Sequence, residues 1–227
     1  RSLTKAHHVT LVAFDPDSKT EPETHENVTM YPVYADPFRY VQLPQLIKYL
    51  SPVPLVFWRI REMQSTLAHL PDIGKWDAIV AVQAMVGRYT LRFSQIPRIL
   101  DVDTSLTCQL RERYQRQMTR LNRWRAWLSW YKAYRYERAL FPKFQVCAVS
   151  SPMEVESVQA LAGDRSTVTV LPNGVDCMHH RLGLTEVQPH TLVYNGALTY
   201  SANYDAMRYF LSEIYPLIKQ KTPDVTL

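Results

Sequence analysis

Two hydrophobic periods alternate along this chain. Continuous apolar, β-branched runs predict strands buried on both faces. They fall at residues 7–14 (HHVTLVAF), 76–82 (WDAIVAV), 97–102 (PRILDV), 144–149 (FQVCAV) and 168–171 (VTVL). Between them the period lengthens to that of a helix. Residues 59–70 place Ile60, Met63, Leu67 and Leu70 on one face, and residues 83–93 turn Met85, Val86, Tyr89 and Phe93 inward. Shorter helices are expected at 41–50 and at 155–162, the latter ended by Gly163. Residues 106–140 read as one long helix or two, with no Pro or Gly to break them. Their apolar stripe (Leu110, Tyr114, Met118, Leu121, Trp124, Leu128, Tyr131) is expected to pack on the sheet. Residues 15–27 are polar and read as a loop, and Pro32 argues against a strand at 30–34 (MYPVY). Strands alternating with helices predict an α/β fold, a Rossmann-like parallel sheet with helices on both faces.

The stretch VTVLPNGVD, then a polar run, then TLVYNGALTYSANYDAMRYF organises the rest. Its first strand stops at Pro172, and Asn173-Gly174 turns the chain. A second strand at 191–194 feeds the turn Asn195-Gly196, a polar loop and an amphipathic helix. Such a helix start presents backbone N–H groups to an anion, so residues 196–203 are the expected phosphate contact. The expected domains are therefore 1–177, a linker at 178–190, and the first βα unit of a second Rossmann-like domain at 191–227. In open α/β sheets ligands meet the carboxyl ends of strands. Asp103 is expected there, although Asp103 or Thr104 would equally cap the next helix. Ser150 and Ser151 precede a good helix start at Pro152 and Glu154, which predicts a cap. Tyr136-Glu137-Arg138 reads as an exposed helix end with local ion pairing.

VLPNGVD followed by strand–NGA–loop–NYDA–helix resembles the retaining glycosyltransferases of the group 1, or family 4, type. Upstream, RILDVDTS, RYERALF and VCAVSSPMEVESV stand in that family's order. The resemblance implies the N-terminal half of a GT-B fold, truncated at both ends, with its first strand and glycine-rich loop before Arg1 and its nucleotide grip beyond Leu227. It implies a hexosyltransferase-type enzyme that moves a sugar from a nucleotide-sugar, as co-substrate, to a glycan or lipid-linked acceptor. Asp103 is then the catalytic candidate, with Thr104, Ser105, Ser150 and Ser151 lining the acceptor side. Gly196, Ala197 and Asn203 face the donor phosphates, and Asn173, Gly174 and Asp176 shape the hinge. The family's loop usually carries Pro-Asn where Ala202-Asn203 stands here. A nucleotide-sugar epimerase of the same shape and a non-catalytic scaffold are the alternatives.

Charge adds a partner. Residues 109–138 hold nine basic residues against two acidic ones, more excess than the whole chain's net +5. Arg113, Arg116, Arg120 and Arg123 continue into Trp127 and Trp130, the mixture an interfacial membrane helix uses. Two readings stand: contact with an anionic membrane surface, and hence a cytoplasmic protein peripheral on the inner leaflet, or a solvated basic face whose Trp residues are covered. No zinc finger or RNP-type motif accompanies the basic run, so nucleic acid is not expected. No apolar run reaches the roughly 20 residues that span a bilayer. Three cysteines (Cys108, Cys147, Cys177) lack CxxC spacing, which favours a reducing compartment over a disulfide framework. No metal or resident cofactor is expected, because carboxylates and histidines do not cluster.

Overall fold

The structure, a computed structural model, describes residues 3–17, 22–178, 180–181, 183, 186–199 and 201–227. The chain divides into two compact units, Arg1–Asn173 and Gly174–Leu227. Parts of the expected linker at 178–190, and Tyr200 in the expected phosphate loop, lie outside the described residues.

The first unit opens with β1 (Val9–Phe14), β2 (Glu23–His25) and β3 (Val28–Val33), a sheet ordered β1-β3-β2. Next come α1 (Gln45–Leu50) and α2 (Arg61–Ala68). Regular alternation follows: β4 (Ile79–Val82), α3 (Ala84–Thr90), β5 (Arg98–Asp103), α4 (Leu106–Gln115), α5 (Arg120–Leu140), β6 (Val146–Val149), α6 (Pro152–Ala162) and β7 (Thr167–Val170). The last four strands form one parallel sheet ordered β4-β5-β6-β7. This is the Rossmann-like arrangement that the alternating periods predict. Leu100, Val102, Cys147 and Val149 of its centre meet Leu140, Phe141, Phe144 and Val158 in the main core. Each such side chain contributes about 1.5–3 kcal/mol by burial. Gly87 lets α3 approach β5, since a Cβ there would meet Leu100 Cδ1 at 3.1 Å and Phe144 Cζ at 3.2 Å. A second core joins Val33 to Ile60, Met63, Leu67 and Leu70, the face expected of α2.

Several expectations are corrected. β1 is half-buried rather than buried, and Leu11 is exposed. β4 borders its sheet, leaving Val80 and Val82 exposed. β2 forms inside the stretch read as a loop, paired antiparallel to β3. Pro32 does sit in a strand, opposite Ala13 of β1. Asn27 and Val33 turn their carbonyls toward β1, so alternation points residue 32 the other way. β2 reaches only Met30 on that side, and the missing N–H costs no ladder bond. At 41–50 a 3-10 turn (Arg39–Gln42) precedes α1, and Leu46 and Leu50 are exposed. The long helix is two: Thr119 starts α5, its side chain accepting from Asn122 N. Met118, Leu121 and Trp124 of the expected sheet-packing stripe are exposed at and beyond this break.

The second unit holds α7 (Ser201–Tyr209), a π-helical stretch (Phe210–Ile214) and α8 (Tyr215–Lys221). Pro216, at the start of α8, has no N–H to return to Ser212, and the ladder widens just before it. The expected strand at 191–194 reduces to one parallel bridge, Thr191 to Thr226. Val193 is exposed. Among the described residues of this unit only Val225 is buried, and Tyr215 Oη donates to its carbonyl at 3.1 Å.

Candidate functional site

The carboxyl ends of β4 and β5 carry two of the positive-φ residues of the first unit, Gln83 and Asp103. Gln83, directly after β4, has φ 70° and ψ 148°, a region glycine alone adopts freely. Its N–H is held by Asp101 O at 2.7 Å. Asp103, the last residue of β5, has φ 56°, which Asp tolerates. The register against β6 slips between Asp101 and Asp103, and this bulge brings Asp103 opposite Val149. Asp101 Oδ1 accepts from Asp103 N at 3.3 Å, and Ser150 Oγ donates to Asp103 O at 3.3 Å. The structure thus brings Asp103 and Ser150 together.

A second carboxyl joins them. Burial first, then the negative charge of Asp103, raises the pKa of Glu154 above the ordinary carboxyl value, while a backbone hydrogen bond at Ser105 opposes the shift. In the sequence Glu154 looked like no more than a favourable first-turn acid. Nothing short of the strand order could show that α6 begins beside Asp103.

The helix behind this edge is held from below. Glu137 is fully buried. Its carboxylate accepts from Ser105 Oγ at 2.6 Å, Leu106 N at 2.9 Å and Thr107 N at 3.1 Å. The reading of Tyr136-Glu137-Arg138 as an exposed helix end is therefore corrected. So is Ser105 as a cleft residue: it is fully buried, donates to Glu137 and caps α4 by accepting from Cys108 N. Thr104 remains exposed, and Ser151 caps α6, accepting from Met153 N at 3.3 Å.

Over residues 1–174 the chain matches the family model described as glycosyl transferase 4-like domain. It belongs to that family. A comparison with curated proteins finds no match.

Beyond the glycosyl transferase 4-like domain, the second unit carries the other expected residues. Asn203 Nδ2 donates to Ala197 O at 3.1 Å, and Tyr194 Oη donates to Asn203 O at 3.4 Å. A Cβ on Gly196 would lie 2.8 Å from Tyr194 Oη, so the loop closes tightly over that ring. Asn173 and Gly174 flank the division between the units. Asp176 Oδ1 accepts from Met178 N at 3.0 Å.

Within the glycosyl transferase 4-like domain, α4 and α5 carry Arg113, Arg116, Arg120 and Arg123 on their surface. Arg116 pairs with Glu112 at 3.5 Å, and Arg123 lies over the Tyr114 ring. Trp127 is exposed and stacks on Tyr131. Trp130 is corrected: it lies in the helix seam between Tyr114 and Tyr134, half-buried. Trp124 is the exposed indole that sequence reasoning had placed inward. Among the described residues no helix is long and apolar enough to cross a membrane, and no group of three or more His, Cys, Asp or Glu is arranged to hold a metal ion.

Proposed function

We propose that this glycosyltransferase moves a hexosyl group from a nucleotide-sugar to a glycan or lipid-linked acceptor, with retention at the anomeric carbon, and that the acceptor meets the edge formed by Gln83, Asp103 and Glu154. The single observation that supports this is the convergence of two carboxyl groups and two left-handed backbones at the strand ends of a family fold. Asp103 orients the acceptor hydroxyl, and Glu154, less acidic than an ordinary carboxyl, is the second group suited to exchange a proton there. Gly196, Ala197 and Asn203, ahead of α7, are the donor-side residues in this reading, where helix N–H groups favour a diphosphate. The reaction needs no resident cofactor, the nucleotide-sugar being a co-substrate.

Asp103→Ala in the full-length protein tests the proposal. Sugar transfer from a panel of nucleotide-sugars should fall about a hundredfold or more, the usual weight of a positioned acid–base group, with the melting temperature preserved. Undiminished transfer would remove Asp103 from the mechanism. A wild-type protein that transfers nothing, yet works in the cell, would favour the scaffold.

A membrane surface is the second partner we propose. The tip of the α4–α5 hairpin supports it, where Met118, Leu121 and Trp124 stand exposed beside Arg116, Arg120 and Arg123. Cytoplasmic anionic lipid would meet that basic, aromatic tip, as a peripheral contact.

A further inference from the structure

A cavity of about 460 Å³ opens where α2 faces α3. Three arginines line it, Arg59, Arg88 and Arg92, together with Gln64, Tyr89 and Leu67. No carboxylate does. Glu62, the acid of α2, is held by both nitrogens of Arg39, at 2.7 and 2.9 Å. The three cations are not neutralised within the described protein. Arg88 donates to Phe57 O at 3.3 Å and lies over the Tyr136 ring, while Arg92 lies over the Phe93 ring. Arg59 forms no ion pair among the described residues.

Tyr89 supplies an independent observation. It lines the cavity while remaining 7% exposed. Its oxygen accepts from Ile60 N at 2.7 Å. Burial raises the phenol's pKa, so the hydroxyl keeps its proton. Three arginines around one cavity, none paired to a carboxylate among the described residues, call for an anion.

We propose that this cavity binds a phosphate- or diphosphate-bearing small molecule. A carboxylate brings one negative charge, too little for three cations. A phosphate ester brings nearly two, and its oxygens match the guanidinium fork. The volume falls within the range of small-molecule sites and exceeds what a bare phosphate fills. The ligand therefore has a body, which Leu67 would contact. The same chemistry is offered by a soluble phosphate ester and by a lipid headgroup.

Inorganic pyrophosphate is the probe, titrated calorimetrically into the full chain. Saturable binding at one site is expected. Arg92→Gln, which changes an exposed side chain, should weaken it about tenfold, the effect of losing one charge-assisted contact. Arg59→Gln should do the same. Arg116→Gln with Arg120→Gln, on the distant basic helices, should leave it unchanged. Absence of saturable binding overturns the proposal, as does equal loss in the α4–α5 variant. Retained affinity in both Arg59→Gln and Arg92→Gln overturns it too. Vesicles containing phosphatidylglycerol then identify the source. Competition with pyrophosphate that Arg92→Gln abolishes supports a lipid headgroup, and its absence beside intact pyrophosphate binding supports a soluble ester.

Discussion

Gln83 holds a backbone conformation that costs a side-chain-bearing residue about 1–3 kcal/mol. Its position beside Asp101 and Asp103 makes the strain meaningful, because strained residues persist where geometry matters more than stability. Gln83→Gly relieves the strain. It should raise stability by about 1 kcal/mol in urea unfolding, while Gln83→Ala keeps the strain and should not. A melting temperature unchanged by Gln83→Gly would mean the strain is absent in solution. Glu154 makes a pH-dependent prediction. Its folded pKa is raised by burial, then by Asp103. Below the unfolded carboxyl value, about 4.3, both states are protonated and Glu154 opposes nothing. As pH climbs toward the raised folded value the unfolded state ionises first, so stability falls. The stability of Glu154→Gln relative to wild type should therefore increase from pH 4 to pH 7. Asp103→Asn should lower the Glu154 titration followed by carboxyl NMR, though not to the ordinary value, since burial remains. Gln83 and Glu154 were not legible as site residues. Positive φ at a glutamine leaves no mark in a sequence, and the Asp103–Glu154 proximity crosses two strands.

Helices carry the next level. Glu137 connects the middle of the fold to the start of α4, satisfying two backbone N–H groups and the Ser105 hydroxyl. Glu137→Ala strands these buried donors, each costing about 1–3 kcal/mol. A loss of at least about 3 kcal/mol is expected in urea unfolding, with faster amide exchange at Leu106 and Thr107. A loss under 1 kcal/mol would show that water replaces the carboxylate freely. Lys132 works similarly for α1. It is buried, and its Nζ donates to Lys48 O and Tyr49 O at 2.8 Å each, ending that short helix. A helical period alone left residues 106–140 as one helix or two. Nothing in the pattern breaks the run, and Thr119 is an ordinary-looking residue until its cap is formed. The stripe was real as a pattern, but its partner was the other helix and solvent rather than the sheet.

At the scale of the whole molecule, a basic excess concentrated on one hairpin becomes a surface property. Each arginine near an anionic leaflet adds about 1 kcal/mol of attraction, screened by salt. The protein should sediment with phosphatidylcholine vesicles containing phosphatidylglycerol, and not with phosphatidylcholine alone. Binding should weaken as salt rises, and Trp124→Ala should weaken it further. Equal binding to both vesicle types would end the membrane reading. Trp130→Ala should instead act on stability, since its indole fills the α4–α5 seam.

By itself, the sequence determined the α/β class, the parallel sheet, the α2 core face and the strand ends around Asp103. Each follows from local periodicity or from turn and cap chemistry, which neighbouring residues settle among themselves. Tertiary structure alone decided that Glu137 is buried, that Ser105 is a buried cap, that Trp124 is exposed while Trp130 is half-buried, and that the charge of Asp103 reaches Glu154. It also assembled Arg59, Arg88 and Arg92 around one cavity. These outcomes depend on which surfaces meet across dozens of residues, and burial, pKa and charge density are properties of those meetings rather than of any stretch of chain.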